Sequence, residues 1–304
     1  MDTLTALMNG PLSPLYCCIG DPVVGNPTQY MMEEAFTALG HSGRYLTIQI
    51  PSKDLKDAVK AIRTLSFAGA NVTAPHKEAI IPYLDTLTES ARISGAVNCI
   101  TRGKDGSLIG DNTDGKGFFR TLASRVPDWK NRTILIFGAG GAAAAITAEL
   151  VLAEAKEVVI INRTGEKAQE LASRMQGISR TRVRAKAWNG TYPIDEDRLI
   201  VVQATSVGLF DERAVIDVAF KRGLTDVIAC DVVFNPIRTK FLSLAEEAGA
   251  ATLDGLGMLV EQGAIAIEAW THKSPDRLLM QNALEQLGVE TRVRGIGLVA
   301  EVAQ

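Results

Sequence analysis

Histidine is scarce in this chain: only His41, His76 and His272 occur in 304 residues. The side chain that most often moves protons in enzymes is nearly missing, so an enzyme with this sequence is expected to use another group. Cysteine is scarce too. Cys17, Cys18, Cys99 and Cys230 show no metal-ligand spacing, and two of them are adjacent. That argues against a zinc cluster or a disulfide framework, and no metal is expected. Long apolar runs are missing. The longest uncharged stretches, Thr3–Gly20 and Thr133–Ala148, are broken by Pro11 and Pro14 or by Gly138, Gly140 and Gly141. Neither reads as a bilayer span of roughly 20 apolar residues. Neither sign of charge dominates: 32 Lys+Arg against 35 Asp+Glu give a net −3, which removes the bulk electrostatic case for nucleic acid or an anionic membrane. No basic residue precedes Arg44, so neither a secretory leader nor an Arg-rich transit peptide is expected, and unpaired thiols suit a reducing cytoplasm.

What is present is an alternation of short apolar runs with helical patterns, the signature of α/β layering. Strands are expected at Leu15–Ile19, Tyr45–Ile50 and Ala70–Val72, with a hairpin from Asn98–Thr101 to Ser107–Gly110. Helices are expected at Thr28–Leu39, Leu55–Leu65 and Lys77–Leu84. From about Lys130 the register is stricter. Strands at Thr133–Phe137, Glu157–Ile161, Leu199–Gln203 and Asp226–Asp231 form a parallel set, with helices at Ala142–Ala153 and Glu166–Arg174 and two last helices around Leu259–Thr271 and Arg277–Leu287. Arg180, Arg182, Arg184 and Lys186 alternate with smaller residues, as a solvated strand face does.

Gly138-Ala139-Gly140-Gly141-Ala142-Ala143 is a G-x-G-x-x-A pattern with an apolar strand before it and an Ala-rich helix after. The first glycine allows the tight turn, the second lets the backbone approach a pyrophosphate, and Ala143 allows close helix–strand packing. The helix start then offers unpaired N–H groups to phosphates. Without a ligand the same residues would make only a tight strand-to-helix turn. The next strand ends in Asn162-Arg163-Thr164, with Lys167 following, and lacks the acid that a ribose 2′-hydroxyl requires. Arginine there suits a 2′-phosphate, so NADP is expected over NAD.

Two segments of the first half put polar side chains at strand ends: Asn71-Val72-Thr73-Ala74-Pro75-His76-Lys77 and Gly110-Asp111-Asn112-Thr113-Asp114-Gly115. A lysine and an aspartate brought together there can form an acid/base pair. Spacing alone leaves that open, because a lone lysine at a helix start is as a rule a solvated charge.

These segments, with GAGGA at 138–142, NRT at 162–164, ATSVG at 204–208 and GLGMLVEQ at 255–262, resemble the shikimate dehydrogenase family in order and over nearly the whole chain, from about Ile19 to Trp270. NVTAPHK together with GDNTDG is the specific part. The resemblance implies an α/β fold of two domains: a substrate domain at 1–116 plus 255–304, and a Rossmann-type NADP-binding domain at 117–254, with the C-terminal helices returning to the first domain. It implies NADP-linked interconversion of 3-dehydroshikimate and shikimate, on the way to chorismate and the aromatic amino acids. Lys77 matches the family's catalytic lysine and Asp114 its partner. Thr73, Asn98, Asp114 and Gln262 match positions that bind ring hydroxyls, and Thr205, Val232, Gly255 and Met258 match positions near the cofactor.

The match departs at one end of the substrate. The family usually has a Ser-x-Ser-Pro loop for the substrate carboxylate; here Asn26 and Thr28 take the serine positions, and Phe234 stands where a tyrosine is common. Asparagine and threonine still offer donors to an anion at a helix start. Two alternatives follow: a paralogue acting on quinate, aminoshikimate or a related cyclic hydroxy acid, and a non-catalytic sensor, against which the retention of both Lys77 and Asp114 speaks. A third reading attaches the NADP domain to an unrelated reaction. The partner is expected to be a small cyclic hydroxy acid, not nucleic acid or membrane, and the protein a monomer or homodimer. Movement between the domains is expected at the joins near Gly117–Trp129 and Asp254.

Overall fold

The computed structural model describes residues 12–287; the ends of the expected first domain, 1–11 and 288–304, lie outside the described residues. Its first sheet contains β1 (Leu15–Gly20), β2 (Arg44–Gln49), β3 (Gly69–Val72), β4 (Thr86–Leu87), β5 (Cys99–Arg102) and β6 (Leu108–Asp111), in the order β2-β1-β3-β5-β6-β4. The β1 strand, LYCCIG, is buried along nearly its whole length and pairs in parallel with β2 and β3. Continuous rather than alternating hydrophobicity is what a strand covered on both faces requires. The antiparallel strand β5 links β3 to β6.

Among the described residues, five α-helices belong to this half of the chain: α1 (Thr28–Ala38), α2 (Leu55–Thr64), α3 (His76–Ala79), α4 (Glu89–Ser94) and α5 (Thr113–Arg125). In α2 the buried residues are Leu55, Val59 and Ile62, one stripe at helical spacing. The helix expected over Lys77–Leu84 is broken: α3 ends at Ala79 and a 3-10 turn spans Ile81–Tyr83, where Pro82 has no N–H to continue the ladder.

The second sheet is parallel throughout and contains β7 (Thr133–Phe137), β8 (Glu157–Asn162), β9 (Arg182–Ala187), β11 (Leu199–Gln203), β13 (Val227–Asp231) and β14 (Ala251–Leu253), in the order β14-β13-β11-β7-β8-β9. The short pair β10 (Tyr192–Ile194) and β12 (Val218–Phe220) lies apart. Its helices are α6 (Gly141–Leu152), α7 (Gly165–Met175) and α8 (Lys240–Glu247). The strand order reverses at β7, so the glycine loop opens at the switch point where such sheets bind ligands. β9 is an edge strand, and its arginines are surface charges: Arg182 and Arg184 both pair with Glu157, at 3.4 and 2.9 Å.

The last helices, α9 (Leu256–Thr271) and α10 (Arg277–Gln286), return to the first sheet. Leu256, Val260, Ala264 and Ile267 join Tyr16, Met31 and Phe36 in one core, and Met280 and Leu284 add to it. Trp270 stacks on Tyr16 and donates from its indole nitrogen to the Ile100 carbonyl at 2.9 Å. Gly69 makes room for that indole, since a Cβ there would fall 2.2 Å from it. The expected join at Gly117–Trp129 is mostly the interior of α5, a helix packed between α6 and α9. Among the described residues no helix is long and apolar enough to cross a membrane.

Candidate active site

The polar segments at the ends of β3 and β6 meet. Lys77, in α3, donates to Asp114 Oδ2 at 2.7 Å, and Asp114 Oδ1 accepts from Asn98 Nδ2 at 2.8 Å. Asp114 sits in the first turn of α5, where the free N–H groups favour a carboxylate. Asn112 caps that helix, its side-chain oxygen accepting from Asp114 N and Gly115 N. Asn98 is held in turn, its Oδ1 accepting from Thr113 N at 2.6 Å. Lys77 is fixed at its backbone as well, its carbonyl accepting from Val97 N at 2.8 Å. The pair is therefore positioned by neighbours that are themselves buried and hydrogen-bonded. Spacing alone left this pairing open and the family resemblance implied it; the fold brings the two side chains to 2.7 Å.

The pair borders a cavity of about 280 Å³. Every expected substrate position lines it: Asn26, Thr28, Thr73, Lys77, Asn98, Asp114, Phe234 and Gln262. Of the expected cofactor positions, Ala142, Val232, Gly255 and Met258 line it too. Gly138, Ala139, Gly140, Gly141, Asn162, Arg163, Thr164, Lys167 and Thr205 do not; they sit around the strand ends of the second sheet, Asn162 ending β8, Gly141 opening α6, Lys167 in the first turn of α7 and the others on the loops between. The two groups approach each other closely. A Cβ at Gly141, the first residue of α6, would lie 3.8 Å from Lys77 Cδ.

The glycine loop has the shape of a phosphate cradle. Gly138 adopts φ +120°, a conformation reserved in practice for glycine, and a Cβ there would press on the Ala204 carbonyl at 2.9 Å. Around Gly140 a Cβ would meet nothing within 4 Å, and the α6 start carries no side-chain cap. Open space beside uncapped N–H groups fits a pyrophosphate. Gly138 N–H also donates to the Ile161 carbonyl, tying the loop to the end of β8. Beyond it Arg163, Thr164 and Lys167 are exposed, and Asn162 Nδ2 donates to the Thr164 carbonyl.

Sequence reasoning missed the clamp that joins β11 to β13. The Gln203 amide oxygen accepts from Thr205 N and Oγ1, while its nitrogen donates to Asp231 Oδ1 at 3.3 Å. Asp231 also accepts from Val233 N at 2.9 Å and Thr239 Oγ1 at 2.7 Å. Two ordinary residues far apart in sequence give no local signal. Burial pushes the Asp231 carboxyl up from 3.8 to about 7, against the pull of these hydrogen bonds. Its native state therefore holds a proton more tightly than the unfolded chain. The resulting stability is complete below about pH 4 and is lost as the pH rises to about 7. Asp231→Asn is expected to keep the geometry and flatten this loss, which amounts to at most about 4 kcal/mol. In urea unfolding between pH 5 and 7.5, the variant should gain on the parent as pH rises; a pH-independent difference would contradict the assignment.

Also missed were Cys18, Val24, Leu209 and Phe210, which line the cavity as apolar loop or strand residues. Burial pushes the Cys18 thiol up to about 11, so it is no thiolate nucleophile at neutral pH. Among the described residues no group of His, Cys, Asp and Glu is placed to hold a metal ion.

Comparison with known proteins gives three matching family models: the shikimate dehydrogenase substrate binding domain over residues 18–100, shikimate / quinate 5-dehydrogenase over 121–236, and the shikimate 5'-dehydrogenase C-terminal domain over 255–285. A shikimate dehydrogenase (NADP(+)) of Bacillus licheniformis is 37% identical, over 91% of this chain and 99% of that protein. The ligand-free structure of 5-ketofructose reductase from Gluconobacter sp. strain CHM43 superposes with a TM-score of 0.85 at 39% identity, covering 91% of this chain and all of that one. Shikimate 5-dehydrogenase of Thermus thermophilus, in complex with NADP(H) and shikimate, gives 0.76 at 31% identity over 90% and 99%. The lysine–aspartate pair, the glycine cradle and these likenesses agree: the chain belongs to the shikimate dehydrogenase family.

Proposed function

We propose that the protein is an NADP-dependent dehydrogenase interconverting 3-dehydroshikimate and shikimate. The observation that carries this reading is the Lys77–Asp114 pair, 2.7 Å apart, on the wall of a cavity that reaches the glycine cradle. Gly138–Ala142 would hold NADP(H), with Arg163, Thr164 and Lys167 for its 2′-phosphate, and the bound cofactor would supply or take up the hydride at C3. In the direction of reduction, Lys77 Nζ donates a proton to the oxygen that gains charge, and as an ammonium it also stabilises that charge. Asp114 orients the ammonium; Asn98 orients Asp114. Thr73, Asn98, Asp114 and Gln262 bind ring hydroxyls, with Asn26, Thr28 and Phe234 at the far wall. Thr205, Val232, Gly255 and Met258 shape the nicotinamide end.

The quinate and aminoshikimate alternatives are not favoured, because a relative 37% identical over 99% of its own length is a shikimate dehydrogenase (NADP(+)). Two separate sheets support a division into residues 1–116 with 255–304 and residues 117–254. We place the enzyme in the cytoplasm, as a monomer or homodimer.

Cofactor choice tests the phosphate assignment. Arg163→Ala is expected to raise KM for NADP+ about tenfold while leaving KM for NAD+ within about twofold. Equal loss with both cofactors in steady-state assays would refute it.

A further inference from the structure

Among the described residues the cavity is lined by two charged side chains, Lys77 and Asp114, and these are paired with each other, so the lining is electrically neutral. An organic acid bound here would bury its carboxylate without a counter-cation, which is costly unless several donors converge on it.

Donors do not converge on the wall that carries Asn26. At the start of α1, Pro27 has no N–H, and the Thr28 N–H is already taken by Asn26 Oδ1 at 3.0 Å. An acceptor thus stands where a carboxylate needs a donor. The Asn26 amide nitrogen is directed at Cys18 Sγ, 3.7 Å away. The neighbouring wall is apolar: Phe210 and Phe234 meet edge to face at 6.4 Å, beside Val24 and Leu209. The uncharged polar side chains that line the cavity, among them the Asn26 and Gln262 amides and the Thr28 and Thr73 hydroxyls, both donate and accept. Such groups match alcohols, which also donate and accept; a carboxylate only accepts.

We propose that this cavity also takes an uncharged polyhydroxylated ketone as substrate, with Asn26, Thr28 and Phe234 setting the preference for it over a cyclic acid. The proposal rests on the reading of Lys77, Asp114 and NADPH given above. The ketone carbon accepts hydride from the reduced nicotinamide, its π-electron pair moves to oxygen, and that oxygen takes the proton from Lys77 Nζ. The products are a secondary alcohol and NADP+, and Lys77 regains its proton from solvent.

The test is NADPH oxidation by the purified full-length protein, with 5-ketofructose as the neutral probe and 3-dehydroshikimate as the anionic one. Asn26→Ser/Thr28→Ser and, independently, Phe234→Tyr are assayed beside the parent, with NADPH binding measured for each to confirm folding. The parent is expected to turn over 5-ketofructose with a higher kcat/KM than 3-dehydroshikimate. Each variant is expected to shift the ratio toward the acid, the double one by about tenfold. Turnover of 5-ketofructose alone supports the proposal and removes the shikimate reading. Turnover of 3-dehydroshikimate alone overturns the proposal and leaves that reading standing. No turnover of either, with NADPH binding intact, overturns both.

Discussion

Lys77→Ala is expected to lower kcat on the order of 10³–10⁴-fold while changing the affinity for NADP+ by less than about threefold. The loss is large because one ammonium performs two tasks, proton transfer and stabilisation of charge on the substrate oxygen. No histidine can replace it: His41 hydrogen-bonds the Tyr16 hydroxyl, His76 the Ile50 carbonyl, and His272 ends α9, none of them lining the cavity. The cofactor is spared because its cradle is backbone, supplied by Gly138–Gly141. Asp114→Asn should cost less, about 10²-fold in kcat, because the lysine remains but its orientation is lost. Stopped-flow reduction and cofactor titration of both variants check this. A non-catalytic sensor would have no turnover to lose, and a parallel loss of NADP+ binding would indicate collapse of the site instead.

Gly115→Ala is expected to be the most damaging small substitution for folding. A Cβ at Gly115 would lie 2.2 Å from the Ala145 carbonyl oxygen and 2.6 Å from its carbon, where no real Cβ sits. Both contacts are backbone, so no side chain can swing away; α5 and α6 must part. α5 has no room to retreat, because Gly117, two residues on and so on the other side of the helix, faces the α9 backbone at Gln262 N and Met258 O, 2.8 and 2.9 Å from a Cβ there. The cost should reach about 3 kcal/mol or more. Because α6 carries the glycine cradle and α5 carries Asp114, residual folded protein should also bind cofactor less tightly. Chemical unfolding measures the first effect and fluorescence titration with NADPH the second. A Gly115→Ala protein as stable as the parent would show that the two helices are not packed as described.

The same glycines show how far sequence carried. Gly115 was visible as the end of a polar turn and Gly117 as the start of an expected join, but nothing local says that they are the contact between α5 and its two neighbours. A movable join was expected around Gly117; the structure puts tight helix packing there. Lys77 and Asp114 were legible as candidates because each lies in a short, unusual segment at a strand end. Their pairing was legible only through the family resemblance, since 37 residues separate them and the fold alone supplies the distance. The Gln203–Asp231 clamp gave no signal at all, for its residues are common types at the ends of ordinary strands. Two- and three-residue strands such as β4, β10 and β12 were unreadable for a simpler reason, being too short to carry a period.

The central claim is that Lys77 and Asp114 serve nicotinamide-linked carbonyl reduction in this cavity. The most direct measurement is the initial rate of NADPH oxidation by purified protein with 3-dehydroshikimate, beside its Lys77→Ala variant. The account predicts saturable oxidation by the parent, preferred over NADH, and its near-complete loss in a variant that still binds NADPH. Undiminished turnover by the folded variant would contradict it.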